Sequence, residues 1–146
     1  MRIIRAMPNT PALVGLGVTG LFPSRCSVYE QSFAEKLFAG TGKTVWLEKE
    51  QDINAIIAVT GSAPAYFFYF MQAMQQVALE LGFDEAQAKA MVAQTALGAA
   101  TMANQSELSF EALRAQVTSK GGTTHEAIET FKQHKLESMV KDAMYA

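Results

Sequence analysis

The sequence is poor in the residues from which most active sites are built. Cys26 is its only cysteine, and His125 and His134 are its only histidines. One cysteine excludes an intramolecular disulfide framework and points to a reducing compartment. Two isolated histidines without a cysteine pair lack the spacing of metal ligands, so no metal site is expected. Neither histidine is placed beside Cys26 by any local pattern, and the thiol reads as a small apolar filler rather than a nucleophile. Charge is scarce too. Lys and Arg number 12 against 14 Asp and Glu, for a net charge of −2. No basic excess is available to hold a polynucleotide, which excludes nucleic acid as a partner. The start, Met1-Arg2-Ile3-Ile4-Arg5, has no apolar run of signal-peptide length, and a cytoplasmic protein is expected.

What the chain has is hydrophobic residues, 49% of 146, enough for a real core and too many for disorder. The first third reads as short α/β elements. Ile3–Met7 is a brief apolar run stopped by Pro8-Asn9-Thr10-Pro11. Val14–Phe22 is apolar and glycine-rich, with Pro23-Ser24 expected to end it. Ser32–Ala39 has helical spacing and closes on Gly40-Thr41-Gly42. Lys43–Glu48 alternates like a strand. From Glu50 the pattern is helical. Gln51–Leu81 is apolar almost all round, which predicts a helix buried on most sides, kinked at Gly61-Ser62-Ala63-Pro64. Although long enough for a membrane span, it carries Asn54, Gln72, Gln75, Gln76 and Glu80, and a soluble core helix is expected. Gly82 caps it, and Asp84 caps a second helix to about Asn104. Small residues Ala93, Ala96, Gly98, Ala99, Ala100 and Ala103 on that helix allow another helix close by. A helix over Ser109–Val117 and two more after Gly121-Gly122 complete the series. The long helix has more apolar faces than its neighbours can cover, which predicts a homodimer of interlocking helices.

Two glycine motifs bear on chemistry. Gly15-Leu16-Gly17-Val18-Thr19-Gly20 matches the dinucleotide-loop pattern, but a strand and Pro23 follow where a helix N-terminus is required, so it is a decoy. The segment Val117-Thr118-Ser119-Lys120-Gly121-Gly122-Thr123-Thr124-His125-Glu126 is different. Gly121-Gly122 permits converging N–H groups, and Thr123 and Glu126 are spaced as a capping box opening a helix. Hydroxyls and the Lys120 ammonium surround a helix N-terminus, a setting that suits a small carboxylate. The same residues also suit a plain helix–helix turn with a good N-cap.

Three segments, Arg5-Ala6-Met7-Pro8-Asn9-Thr10-Pro11, Thr60-Gly61-Ser62-Ala63-Pro64-Ala65-Tyr66 and the Val117–Thr124 loop, occur in an order that resembles pyrroline-5-carboxylate reductases. Ala63 departs from the glycine common there, a change expected to shift the helix slightly without abolishing function. The resemblance implies a mainly α fold: a helical dimerisation domain of the 6-phosphogluconate dehydrogenase C-terminal type over residues 49–146. Residues 1–48 would be the C-terminal remnant of a Rossmann NAD(P)-binding domain. The family's phosphate loop has no counterpart here, so the chain is expected to be part of a longer protein and inactive alone. The implied reaction is reduction of 1-pyrroline-5-carboxylate to L-proline by NAD(P)H, with NADPH favoured. By the same resemblance Ser119 and the backbone of Gly121, Gly122 and Thr123 take the substrate carboxylate. Thr124 serves the ring nitrogen as the catalytic residue, Glu107 adjoins the substrate, and Met7, Pro8, Asn9 and Thr10 flank the nicotinamide. Family dimers can associate into a decamer. The alternative is a non-catalytic helical dimerisation module that keeps the loop as a structural turn.

Overall fold

The computed structural model describes residues Met1–Ala146. It divides into two compact units, Met1–Tyr69 and Phe70–Ala146, with the boundary inside a helix.

In the first unit β1 (Ile3–Met7), β2 (Gly17–Ser24) and β3 (Gly42–Trp46) form a sheet in that order. β1 runs antiparallel to β2, from Ile3 opposite Ser24 to Met7 opposite Gly20. β2 and β3 are parallel, joined through α1 (Val28–Phe38), as parallel strands require a crossover. A 3-10 turn, Thr10–Val14, separates β1 from β2. Leu21 and Thr19 of β2 are fully buried, with Ala34 of α1 and Ile53 in the same core. Glycines set the close approaches. A side chain on Gly42, whose φ is +132°, would overlap the backbone of Gly17, its partner across the strands.

Two expectations change here. β2 continues through Pro23 and Ser24 instead of stopping before them. The pairing with β3 ends at Leu21 opposite Trp46, so Pro23 lies where only one neighbouring strand remains to be bonded. The helix expected from Ser32 begins at Val28. Ser27 is its N-cap, accepting from Glu30 N–H at 3.3 Å while the Glu30 carboxylate accepts from Ser27 N–H at 2.8 Å. The Ser27 N–H, and the Ser27 hydroxyl donating to the same carboxylate oxygen at 2.9 Å, with Arg2 nearby, hold the Glu30 carboxyl below its ordinary range. The cap's contribution is therefore fully present above the ordinary glutamate pKa, and is lost as pH falls through the lowered one. Ser27→Ala removes the hydroxyl but keeps the backbone N–H, so it should raise the Glu30 titration, followed by NMR, only part of the way to the ordinary range; an unmoved titration would show that the hydroxyl takes no part.

After β3, α2 (Asp52–Ile56) passes into one π-turn, Ile57–Gly61, before α3 (Ala63–Glu80). The expected interruption is present, but it precedes Pro64. Pro64 itself falls in the first turn of α3, where a missing N–H costs little.

The second unit holds the C-terminal part of α3 and four further helices. These are α4 (Glu85–Gln105), α5 (Phe110–Gln116), α6 (Thr123–Gln133) and α7 (Leu136–Tyr145). Gly82, at φ +95°, turns the chain out of α3. Asp84 and Gln87 form a reciprocal cap on α4, and Ser109 caps α5. Phe70 packs on Phe131 of α6 with ring centroids 6.0 Å apart. The buried side chains of α4 are Ala88 and Val92.

α3 departs from expectation in one respect. It is not buried within the chain: Phe67, Phe68 and Tyr69 are 66%, 66% and 75% exposed. One chain does not supply the neighbours its apolar surface demands. By length and composition Asp52–Glu80 also meets the requirement for a membrane span.

Candidate functional site

The Val117–Thr124 segment joins α5 to α6. Thr118 ties it to α5 by donating its hydroxyl to the Arg114 carbonyl at 2.6 Å. Gly121 turns the chain in the left-handed region at φ +72°, and Gly122 N–H closes on the Ser119 carbonyl at 3.0 Å. The expected capping box of Thr123 and Glu126 does not form. The N-cap is Gly122 in extended backbone, and no side chain caps α6. Because Gly122 takes that position, Thr123 becomes the first helical residue and its hydroxyl cannot reach back as a cap. The result is an uncapped helix start: the Thr123, Thr124 and His125 N–H groups have no intrahelical acceptor. The first internal bond runs from Glu126 N–H to the Gly122 carbonyl at 3.2 Å.

Ser119 stands at this opening. A side chain on Gly122 would collide with its Oγ, which makes no hydrogen bond within the chain. Ser119, Gly121, Gly122, Thr123 and Thr124 are thus gathered around one helix N-terminus, with Thr123 and Thr124 exposed. Lys120 is exposed and makes no ion pair. Glu107 belongs to a different segment. It lies exposed in the α4–α5 connection, and no hydrogen bond or ion pair links it to the loop.

Met7, Pro8, Asn9 and Thr10 lie in the other unit, running from the last residue of β1 to the first of the 3-10 turn. Asn9 Nδ2 donates to the Thr60 carbonyl at 3.0 Å, and its Oδ1 accepts from Val18 N–H at 2.8 Å. The Met7 methyl lies 3.7 Å from where a side chain on Gly61 would begin. The loop therefore seats on the π-turn, a contact that sequence reasoning missed. Its signal was present in the short polar run Thr60-Gly61-Ser62 before Pro64. The G-x-G-x-x-G run enters β2 from Gly17 and offers no helix N-terminus to a pyrophosphate.

The family model for pyrroline-5-carboxylate reductase dimerisation matches residues 50–146. The chain belongs to that family. It is 49% identical over 148 residues to pyrroline-5-carboxylate reductase of Vibrio alginolyticus, covering 100% of this chain and 54% of that protein. It is 46% identical over 147 residues to the Pasteurella multocida reductase, covering 99% and 54%. Its fold superposes on the Coxiella burnetii reductase with a TM-score of 0.95 at 41% identity, covering 99% of this chain and 54% of that one. It superposes on a Plasmodium falciparum pyrroline carboxylate reductase solved with NADP bound with a TM-score of 0.88 at 25% identity, covering 99% and 58%. The chain spans about half the length of the curated reductases it matches.

Proposed function

We propose that this chain supplies the substrate-carboxylate site and the dimer interface of an enzyme that reduces 1-pyrroline-5-carboxylate to L-proline. Residues 1–48 are the end of its Rossmann domain and residues 49–146 its helical dimerisation domain. The observation that carries the reading is the uncapped N-terminus of α6, framed by Gly121, Gly122 and the Ser119 hydroxyl.

NAD(P)H, when bound, supplies a hydride, and NADPH is the favoured form given the NADP held by the Plasmodium falciparum relative. The protein's share is orientation. The Thr123 and Thr124 N–H groups and Ser119 Oγ hold the substrate carboxylate, where the helix dipole adds to their attraction. The Thr124 hydroxyl meets the ring nitrogen, which receives the C=N electron pair as its carbon gains hydride. Glu107 adjoins the substrate from the α4–α5 connection, and Met7, Pro8, Asn9 and Thr10 form the nicotinamide flank. Holding the two reactants face to face accounts for most of the rate, because the protonated imine is already an electrophile. The enzyme is read as cytoplasmic. The exposed α3 surface, interrupted by Gln72, Gln76 and Glu80, is read as a homodimer interface rather than a membrane face, and dimers can assemble further into a decamer.

The test uses the complete gene product. Thr124→Ala should lower kcat/KM for pyrroline-5-carboxylate about tenfold, the effect of one hydrogen bond worth about 1–2 kcal/mol. Full efficiency in that variant removes Thr124 from the mechanism. Ser119→Ala should chiefly raise KM for pyrroline-5-carboxylate, and an unchanged KM would take the serine out of the carboxylate site.

A further inference from the structure

Asn9 stands at the N-cap of the 3-10 turn Thr10–Val14, yet its side chain does not cap that turn. A local cap is the usual use of asparagine there. Instead both ends of the amide reach elsewhere: Oδ1 to Val18 N–H at 2.8 Å and Nδ2 to the Thr60 carbonyl, 51 residues away, at 3.0 Å. The partners fix the amide's orientation, since an N–H must face the oxygen and a carbonyl the nitrogen.

Each partner is available for a reason written in the sequence. In a continuous α-helix the Thr60 carbonyl accepts from the N–H of residue 64. That residue is Pro64, which has none. The π-turn widens the backbone at the same place, Ser62 N–H closing on the Ile57 carbonyl at 3.0 Å. Thr60 turns its own hydroxyl back to the Ile56 carbonyl at 2.8 Å. On the other side, the β1–β2 register pairing Met7 with Gly20 would bring Asn9 opposite Val18. Pro8 breaks the ladder there, and the Asn9 amide oxygen serves Val18 in place of a backbone acceptor.

Resting on the reductase reading above, we propose that Asn9 is a positioning residue. Its side chain fastens the Met7–Thr10 loop to the carbonyl that Pro64 leaves free, and so sets the surface against which the nicotinamide lies. It does so without offering its own amide to the cofactor.

The test compares Asn9→Ala and Asn9→Asp in the complete gene product. The first readout is hydrogen–deuterium exchange without cofactor. Asn9→Ala should speed exchange at Val18 and Ser62 at least tenfold; unchanged protection overturns the clamp. The second is kinetic. Both variants should lower kcat about tenfold, raise the isotope effect with 4-deuterated NADPH, and leave KM for pyrroline-5-carboxylate within twofold. Asn9→Asp keeps the acceptor for Val18 but sets a carboxylate against the Thr60 carbonyl, so it should fall as far as Asn9→Ala. Wild-type turnover in Asn9→Asp overturns the link to Thr60, and a raised cofactor KM at unchanged kcat in Asn9→Ala overturns positioning in favour of direct contact. An unmutated protein that reduces no pyrroline-5-carboxylate overturns the reductase reading, and this role with it, whatever the exchange result.

Discussion

Gly122→Ala in the complete reductase should lower kcat/KM for pyrroline-5-carboxylate about a hundredfold while leaving thermal stability nearly unchanged. The two effects separate because of where the added methyl goes. Gly122 has φ −85° and ψ 169°, extended backbone open to any residue, so alanine meets little conformational strain there. The new methyl would collide with Ser119 Oγ, the end of a short side chain that can rotate away, and would sit 3.3 Å from the Ser119 carbonyl, which must give only slightly. The fold therefore survives, and the carboxylate loses a hydroxyl donor while a methyl crowds its seat. A hydrogen bond to a charged group is worth about 1.5–3 kcal/mol, and a displaced substrate forfeits orientation as well. Kinetics and thermal melting check this together. Adding Ser119→Ala to Gly122→Ala should cost little more, because the first change has already removed the hydroxyl. Full activity in Gly122→Ala would show that the loop is a turn and not a site.

Phe67→Glu should dissociate the assembly. The side chain is 66% exposed on α3, beside the equally exposed Phe68 and the more exposed Tyr69. Burying a phenylalanine is worth about 1.5–3 kcal/mol, and a two-fold interface counts it twice. Losing both copies weakens association by about 3–6 kcal/mol, roughly a hundredfold to ten-thousandfold, before the cost of a buried carboxylate is added. Light scattering at micromolar concentration should show the mass of the complete protein fall to that of one chain. An unchanged mass would place the interface elsewhere.

Element order was legible in the sequence where a local rule acted alone. Asp84 at the start of α4 and Gly82 at the end of α3 are caps whose chemistry lies within four residues, and the structure has both, while Ser109, read as the first residue of its helix, is the N-cap of α5. The misses came where the deciding partner is distant in sequence. Pro23 could remain in β2 only because β3 stops pairing at Leu21. The π-turn is held by an asparagine 51 residues away. The start of α1 lay hidden behind exposed Val28 and Tyr29, although Ser27 and Glu30 carried the capping-box spacing. The burial expected of α3 was read from composition, and one chain cannot provide it. In the loop, the sequence suited either an anion site or a plain turn, and the cap expected from Thr123 does not form. The correction leaves the first-turn N–H groups open for a ligand.

The most direct measurement is NAD(P)H oxidation in the presence of pyrroline-5-carboxylate, by the complete gene product and by the 146-residue chain alone. The expected result is turnover to L-proline by the complete protein and none by the chain, which has no loop for the dinucleotide phosphates. Absence of turnover by the complete protein would contradict the account and leave a helical assembly module whose Ser119–Thr124 loop is a structural turn.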